Sequence, residues 1–181
     1  MTMTPDLLKY LFAGTLLTLP LERALALTDV QGEVEVFLEI SRGCQVSNGG
    51  ASGAAHDFGE LDFGRVSPTW NTVLSAQLIS PQGDALQVTC DPNIRAFNVA
   101  IDGGLQGDRT LRLNTGTESV AYNLYQDAQH AREYVINEFV SFPIDTGGAP
   151  VNIPIHGAIP PSDTAKPSGV YQDTLTVTLN F

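Results

Sequence analysis

Serine and histidine are the side chains most often used in nucleophilic catalysis, and this chain carries both without a recognised motif. Ser52 lies in a glycine- and alanine-rich stretch, residues 49–55, and no Gly-x-Ser-x-Gly pattern is present. His56, His130 and His156 are far apart and lack the His-Glu-x-x-His spacing. They could converge in the fold, but ordinary surface or core imidazoles are the simpler interpretation. The sequence therefore predicts no catalytic residues and a protein that is not an enzyme.

Carboxylates are the next candidates, for acid–base chemistry or for calcium binding. Glu60 and Asp62 stand two residues apart on one face of a predicted strand, as a glycosidase pair can, but the sequence does not give their separation. Asp102-Gly103-Gly104 with Asp108 resembles a calcium loop, yet it lacks the alternating carboxylates and the closing glutamate. A tight turn is the better interpretation of these residues. We therefore predict no metal and no cofactor.

Charge and composition exclude several classes of partner. The 181 residues include 9 Lys+Arg and 20 Asp+Glu, which gives a formal net charge of −11. Because so acidic a chain cannot neutralise phosphates, we expect it to bind neither nucleic acid nor an anionic membrane surface. The hydrophobic content of 43% can build a core, and 17 Gly and 11 Pro favour short strands joined by turns over long helices.

The amino-terminal 26 residues have the pattern of an export signal. Lys9 precedes an apolar stretch at residues 10–21, and the small residues Ala24 and Ala26 follow with the spacing of a signal-peptidase site. The stretch is shorter than the roughly 20 residues of a permanent membrane span. An ordinary buried helix is the alternative interpretation. We predict a signal peptide at residues 1–26, an exported mature chain and no permanent membrane span.

Export changes the interpretation of the two cysteines. In an oxidising compartment, Cys44 and Cys90 are expected to form a disulfide. Each lies at the edge of a strand-like segment, which suits a bond between neighbouring strands. A disulfide that closes a loop of that length stabilises a fold by about 4 kcal/mol in the chain-entropy model. A metal site or reactive thiols are the alternative, which the absence of a Cys-x-x-Cys spacing disfavours.

Short strands dominate the rest of the pattern. Apolar or alternating runs, separated by turn signals, occur at residues 34–40, 58–64, 70–79, 86–90, 97–101, 110–113, 120–126, 133–135, 151–159 and 171–181. The one helix candidate, residues 127–132, is short. This spacing is typical of an all-β, antiparallel β-sandwich in a single domain.

The last strand alternates clearly up to the end of the sequence. One face carries Tyr171 and the apolar side chains that we take as the C-terminal edge, namely Leu175, Val177, Leu179 and Phe181. Asp173 is an exception on that apolar face. An immunoglobulin-like sandwich normally continues with a further edge strand. We therefore expect this edge to line an open groove.

A second alternating segment lies before the first cysteine, at residues 30–40. Its aliphatic face carries Val30, Val34, Val36, Leu38 and Ile40. Periodicity alone favours an ordinary first strand of the same sandwich. The alternative is a strand donated to the C-terminal edge of another copy, which would build a head-to-tail filament.

Several short motifs in a fixed order favour the second alternative. They are residues 32–40 with Gly43-Cys44, and residues 58–64, 69–71, 88–91, 99–104, 120–125, 153–159 and 169–179. In their order and spacing the chain resembles the spore coat protein U domain family, and within it the rod subunits of archaic, Csu-type chaperone–usher pili.

That resemblance implies an incomplete immunoglobulin-like β-sandwich that lacks its last strand. It implies a donor strand at residues 27–43, a pilin domain at residues 44–181, and the Cys44–Cys90 disulfide. The expected partners are neighbouring copies of the chain, a periplasmic chaperone that grips the end at Phe181, an outer-membrane usher, and other pilus subunits including a tip adhesin. The implied location is the periplasm in transit and then a cell-surface pilus, which serves adhesion and biofilm formation.

Three alternatives to a pilus subunit remain open on the sequence. One is a self-complete, secreted module that binds a surface or a carbohydrate, for which Trp70, Tyr122 and Tyr125 could form a sugar platform, although aromatic residues on strands are usually core. Another is a structural protein of a spore coat. The third is a secreted hydrolase, which would need a pocket that gathers histidines or paired carboxylates and which no motif supports.

Overall fold

A computed structural model of the chain describes residues 33, 35–38, 43–47 and 57–181. The chain divides into two units, Met1–Glu39 and Ile40–Phe181. The described part of the second unit contains β-strands and turns and no helix, and every strand pair in it is antiparallel. The prediction of an all-β, antiparallel fold is confirmed.

Twelve short strands make up the described fold. They are β1 (Cys44–Val46), β2 (Leu74–Gln77), β3 (Leu86–Cys90), β4 (Ala96–Ile101), β5 (Thr110–Leu113), β6 (Ser119–Ala121), β7 (Asn123–Tyr125), β8 (Val140–Pro143), β9 (Val151–Ile153), β10 (His156–Ile159), β11 (Tyr171–Gln172) and β12 (Val177–Asn180). They form four three-stranded sheets with the orders β1-β3-β9, β2-β10-β7, β11-β5-β6 and β12-β4-β8.

The core is built on the central strands β3 and β4. In β3, Leu86 and Val88 are fully buried and alternate with half-buried polar residues, because successive side chains of a strand point to opposite faces. In β4, Phe97, Val99 and Ile101 are fully buried in the same way. Both strands have a neighbour on each side, so their backbone groups are paired and their apolar faces are covered.

The predicted disulfide is present and joins neighbouring strands. Cys44 of β1 lies directly opposite Cys90 of β3, with a Cα–Cα distance of 4.0 Å. The amide of Asp91 donates to the carbonyl of Gly43 (2.9 Å), so the cysteines occupy the next position, a pair without backbone hydrogen bonds. Side chains are closest at such positions, and the bond fixes β1 to the core.

Three runs that the sequence predicts as continuous strands are each divided in two. Residues 120–126 divide between β6 and β7, residues 151–159 between β9 and β10, and residues 171–181 between β11 and β12. In every case the two halves pair with different sheets, so the break is where the chain passes from one sheet to another. At the second break Pro154 has no amide hydrogen to donate.

Other parts of the strand prediction are wrong in detail. Residues 58–64 and 133–135 form only isolated bridges, Glu60 with Ile79 and Glu133 with Tyr125, and β8 was not predicted. The short helix candidate at residues 127–132 is a turn, in which the Asp127 carboxylate accepts hydrogen bonds from the amides of Ala131 and Arg132. In the part of the chain that the structure describes, no helix is long and apolar enough to cross a membrane.

Candidate functional site

The outer edge of β12 has no strand beside it among the described residues. β12 pairs with β4 on its inner side, with Val177 opposite Ile101 and Leu179 opposite Val99. Ile101 and Val99 are fully buried, whereas Val177 and Leu179 are only half-buried against the same core. Leu175 has the same partial cover. The apolar face of the last strand is thus left partly open along one side.

The backbone of β12 also offers hydrogen bonds on that side. The amide of Asp102 donates to the carbonyl of Thr176 (3.1 Å), which makes these two residues a hydrogen-bonded pair. Because such pairs alternate along an antiparallel ladder, Thr178 pairs with β4 while the peptide groups of Val177 and Leu179 point outward. The outer edge therefore presents unpaired donors and acceptors at the same residues whose side chains face the core.

A second open edge belongs to β1. It pairs with β3 alone in the described structure, and Cys44 and Val46 are half-buried. The two edges approach each other at one end, where a Cβ placed on Gly43 would lie 3.4 Å from the ring of Phe181. The Phe181 side chain itself is 60% exposed.

Asp173, the exception on the apolar face, is explained by the hydrogen bonds of its carboxylate. Its Oδ2 accepts from the hydroxyl of Tyr122 (2.6 Å), and its Oδ1 accepts from the amides of Leu105 and Thr174 (both 2.8 Å). Burial, and then the hydrogen bond to Asp173, raise the pKa of Tyr122, so its hydroxyl stays a donor. A lone acid within an alternating apolar strand was the sequence signal for this arrangement.

Asp102 secures the same region from the β4 side. Its Oδ1 accepts from the amides of Gly104 and Thr176, both at 2.9 Å. Burial raises the pKa of Asp102, but the hydrogen bonds from Thr176 and Gly104, and then the charge of Arg109, outweigh it and leave the pKa lowered. The predicted Asp-Gly-Gly turn is thus present, and the Asp102 carboxylate connects it to Thr176, the residue before β12.

Arg109 is a buried residue that the sequence analysis missed. Its side chain donates to three backbone carbonyls, those of Asp102 (3.3 Å), Ile101 (3.2 Å) and Tyr134. Burial lowers the pKa of Arg109. The burial of Arg109 could not be predicted from the sequence, because its partners are backbone carbonyls and every residue has one.

The described part of the predicted donor strand is exposed. Val36 and Leu38 are 90% and 80% exposed and belong to no strand. Val30, Val34 and Ile40 lie outside the described residues. The assignment of this segment as a donor strand stays a prediction.

The structure places two of the histidines considered for catalysis beside Tyr125 and leaves the acidic pair exposed. The ring of His130 lies 4.9 Å from that of Tyr125, and His156 is the cross-strand neighbour of Tyr125. Glu60 and Asp62 are exposed, and Asp62 accepts the amide of Gly64 within its own turn (2.7 Å). No three His, Cys, Asp or Glu side chains within the described ranges are placed to hold a metal ion. His56 lies outside those ranges.

Of the three aromatic residues considered as a sugar platform, one is in the core and two are half-buried, Tyr125 among them. Tyr122 is buried, and Trp70 is half-buried with its indole N–H donating to the carbonyl of Pro160 (2.8 Å). An open depression lies beside Trp70, lined by Asn71, Ser162 and Asp163 among others.

Comparisons with known proteins identify the family. The family model described as Spore Coat Protein U domain matches residues 30–178, well over half of the chain. No curated protein matches the chain. Among solved structures, the chain is similar to one in the crystal structure of the CsuC–CsuE chaperone–tip adhesion subunit pre-assembly complex from archaic chaperone-usher Csu pili of Acinetobacter baumannii, at 18% identity and a TM-score of 0.48. That likeness covers 78% of this chain and 40% of that one. The chain belongs to the Spore Coat Protein U domain family.

Proposed function

We propose that this protein is a structural subunit of a surface pilus, assembled by donation of a strand from one copy to the next. The observation that carries the proposal is the outer edge of β12, where half-buried Val177 and Leu179 have no second strand, on the side away from β4, in the described structure. In this proposal the fold is an immunoglobulin-like sandwich that lacks its last strand. Membership of the Spore Coat Protein U domain family supports it.

The occupant that we propose for this edge is residues 27–43 of a neighbouring copy, with Val30, Val34, Val36, Leu38 and Ile40 as the inserted side chains. Adding a strand supplies partners for the outward peptide groups and covers the open apolar face. Burying five aliphatic side chains at about 1.5–3 kcal/mol each is worth on the order of 10 kcal/mol before the cost of ordering the strand. Because Val36 and Leu38 are exposed in the free chain, their burial in a neighbouring copy would contribute to this free energy.

Donor and acceptor on one chain make the contact heterologous, so each added copy presents a new free edge and a fibre grows. We propose that residues 1–26 direct export, and that residues 44–181 form the accepting domain. A periplasmic chaperone would cover the edge in transit, and an outer-membrane usher would exchange it for the next subunit. The resulting pilus, with other subunits and a tip adhesin, would serve adhesion and biofilm formation.

The test of this proposal is a charge on the inserted face of the segment. Val36→Asp is expected to abolish fibres, because a carboxylate would be buried in the groove without a partner. Phe37→Asp is the matched control, since Phe37 is similarly exposed (79%) and lies on the opposite face of the alternating segment. Fibres are counted by negative-stain electron microscopy on producing cells, and self-association of the purified chain is followed by analytical ultracentrifugation.

Three outcomes would contradict the proposal. Normal fibre numbers with Val36→Asp would exclude insertion of this face, and equal loss with Phe37→Asp would show that the effect is not specific to it. A purified full chain that remains a stable monomer at high concentration would favour a self-complete secreted binding module instead.

A further inference from the structure

We propose that Asp102, Tyr122 and Asp173, here called the polar clamp, are positioning residues that hold β12 where its outer edge can accept a strand. This inference rests on the proposed function. It concerns residues outside the edge itself, since none of the three lies within β12.

The clamp lies at the amino-terminal end of β12, where the chain has just left another sheet. β11 pairs with β5, and five residues later β12 pairs with β4. Between them, residues 173–176 belong to no strand. Apart from the backbone bond from the Asp102 amide to the Thr176 carbonyl, this connection is held by hydrogen bonds to side chains.

The clamp supplies those bonds from both sides. The Asp173 carboxylate accepts from the Tyr122 hydroxyl (2.6 Å) and from the amides of Leu105 and Thr174. The Asp102 carboxylate accepts the amide of Thr176 (2.9 Å), the last residue before β12. Charged acceptors form hydrogen bonds about twice as strong as neutral ones, so the two carboxylates fix both ends of the connection.

The turn that contacts Asp173 fits it closely. A Cβ on Gly104, which has φ +76°, would overlap the Asp173 carboxylate, and a Cβ on Gly103 would overlap the backbone of Gly107. Beneath the turn, buried Arg109 donates to the carbonyls of Asp102 and Ile101. The turn is thus held from the core side by Arg109, and the Asp102 carboxylate of the clamp connects it to Thr176.

The consequence concerns the register of the edge. The Asp102–Thr176 pair sets which peptide groups of β12 face β4 and which face outward. A slip of one residue would turn the outward groups of Val177 and Leu179 toward β4 and move their side chains off the core face. The clamp therefore determines whether the residues whose peptide groups point outward are also those whose apolar side chains face the core.

The experiment measures two quantities separately, the local stability of residues 174–181 and the binding of an added donor peptide. It uses the full chain carrying Val36→Asp, so that the donor segment of the chain itself does not compete with the peptide. Asp173→Ala and Tyr122→Phe are compared with Asp108→Ala, which removes an exposed carboxylate from the same turn. Hydrogen–deuterium exchange is followed over residues 174–181 and over β3 as an internal reference. Binding of a fluorescent synthetic peptide of residues 27–43 is followed by anisotropy.

Asp173→Ala is expected to speed exchange over residues 174–181 by about tenfold or more and to weaken peptide binding by a similar factor, with β3 unchanged. Tyr122→Phe keeps the buried ring and is expected to show the same pattern to a smaller extent, which keeps the test decisive if Asp173→Ala does not fold. Asp108→Ala is expected to match the parent in both measurements.

Unchanged exchange over residues 174–181 in the two clamp variants would overturn the inference, as would an equal increase in β3, which would mean a general loss of stability. Absence of peptide binding in the parent would overturn the proposed function instead. Exchange would then still decide whether the clamp orders β12.

Discussion

The segments around Val36 and Val177 have the same alternation of apolar and polar side chains and differ in what lies against them. Val177 and Leu179 pack against the core from a strand that pairs with β4, while Val36 and Leu38 are 90% and 80% exposed. Alternation specifies which side chains share a face. It does not specify the partner, and strand donation would give the exposed segment the cover that β12 already has on one side.

The largest expected effect is on the stability of the folded domain, which the disulfide between β1 and β3 supports, whereas the exposed amino-terminal segment should not respond. Replacing Cys44 and Cys90 together by alanine is expected to lower the free energy of unfolding by about 4 kcal/mol, because the bond no longer restricts the unfolded chain. Hydrogen exchange at residues 35–38 is expected to stay the same. Urea unfolding gives the first quantity, and an unchanged midpoint would contradict the expectation.

A truncation in β12 tests how much of its cover is already present. Leu179→Ala is expected to cost about 1–2 kcal/mol, below the 2–5 kcal/mol typical of fully buried leucines, because Leu179 is half-buried. Thr178→Ala, on the exposed face of the same strand, is the control and is expected to change little. A cost for Leu179→Ala at the top of the buried range would mean that the edge is already closed.

Acid is expected to weaken the attachment of β12 at Asp102. Burial raises the pKa of this carboxyl, but the hydrogen bonds from Thr176 and Gly104 have the larger combined effect, so the pKa lies below its ordinary value of 3.8. A lowered folded-state pKa means that the stabilisation is present above pH 3.8 and is lost as the pH falls through the folded value. Unfolding free energies measured between pH 6 and pH 2 should therefore fall less steeply for Asp102→Asn than for the parent. Identical slopes would contradict this role.

The smallest expected effect is on the stability of the monomer when the exposed segment is changed. Val36→Asp, which is expected to abolish fibres, should alter the free energy of unfolding of the second unit by no more than about 0.5 kcal/mol, since Val36 is 90% exposed. Urea unfolding of the non-assembled chain measures it. A loss of several kcal/mol would show that Val36 already packs in its own chain, as an ordinary first strand would.

Much of the fold follows from local patterns, and the errors have a common cause. The alternation at residues 171–181 correctly assigns the faces of Leu175, Val177 and Leu179, and the disulfide joins the expected cysteines. The same pattern conceals the break before β12, because side-chain polarity does not record a change of sheet. Asp173 was visible as an exception, but its partners Tyr122 and Leu105 lie 51 and 68 residues away.

The sequence by itself determined the fold class, the pairing of its two cysteines and which faces of the strands are apolar, because each of these depends on composition or on a period of two residues. Only the tertiary structure decided which strands are neighbours, that the outer side of β12 has no strand among the described residues, and that Asp102 and Asp173 accept hydrogen bonds from the residues just before β12. Those features depend on hydrogen bonds between distant backbone groups. All residues carry such groups, so no local pattern can reveal which of them will pair.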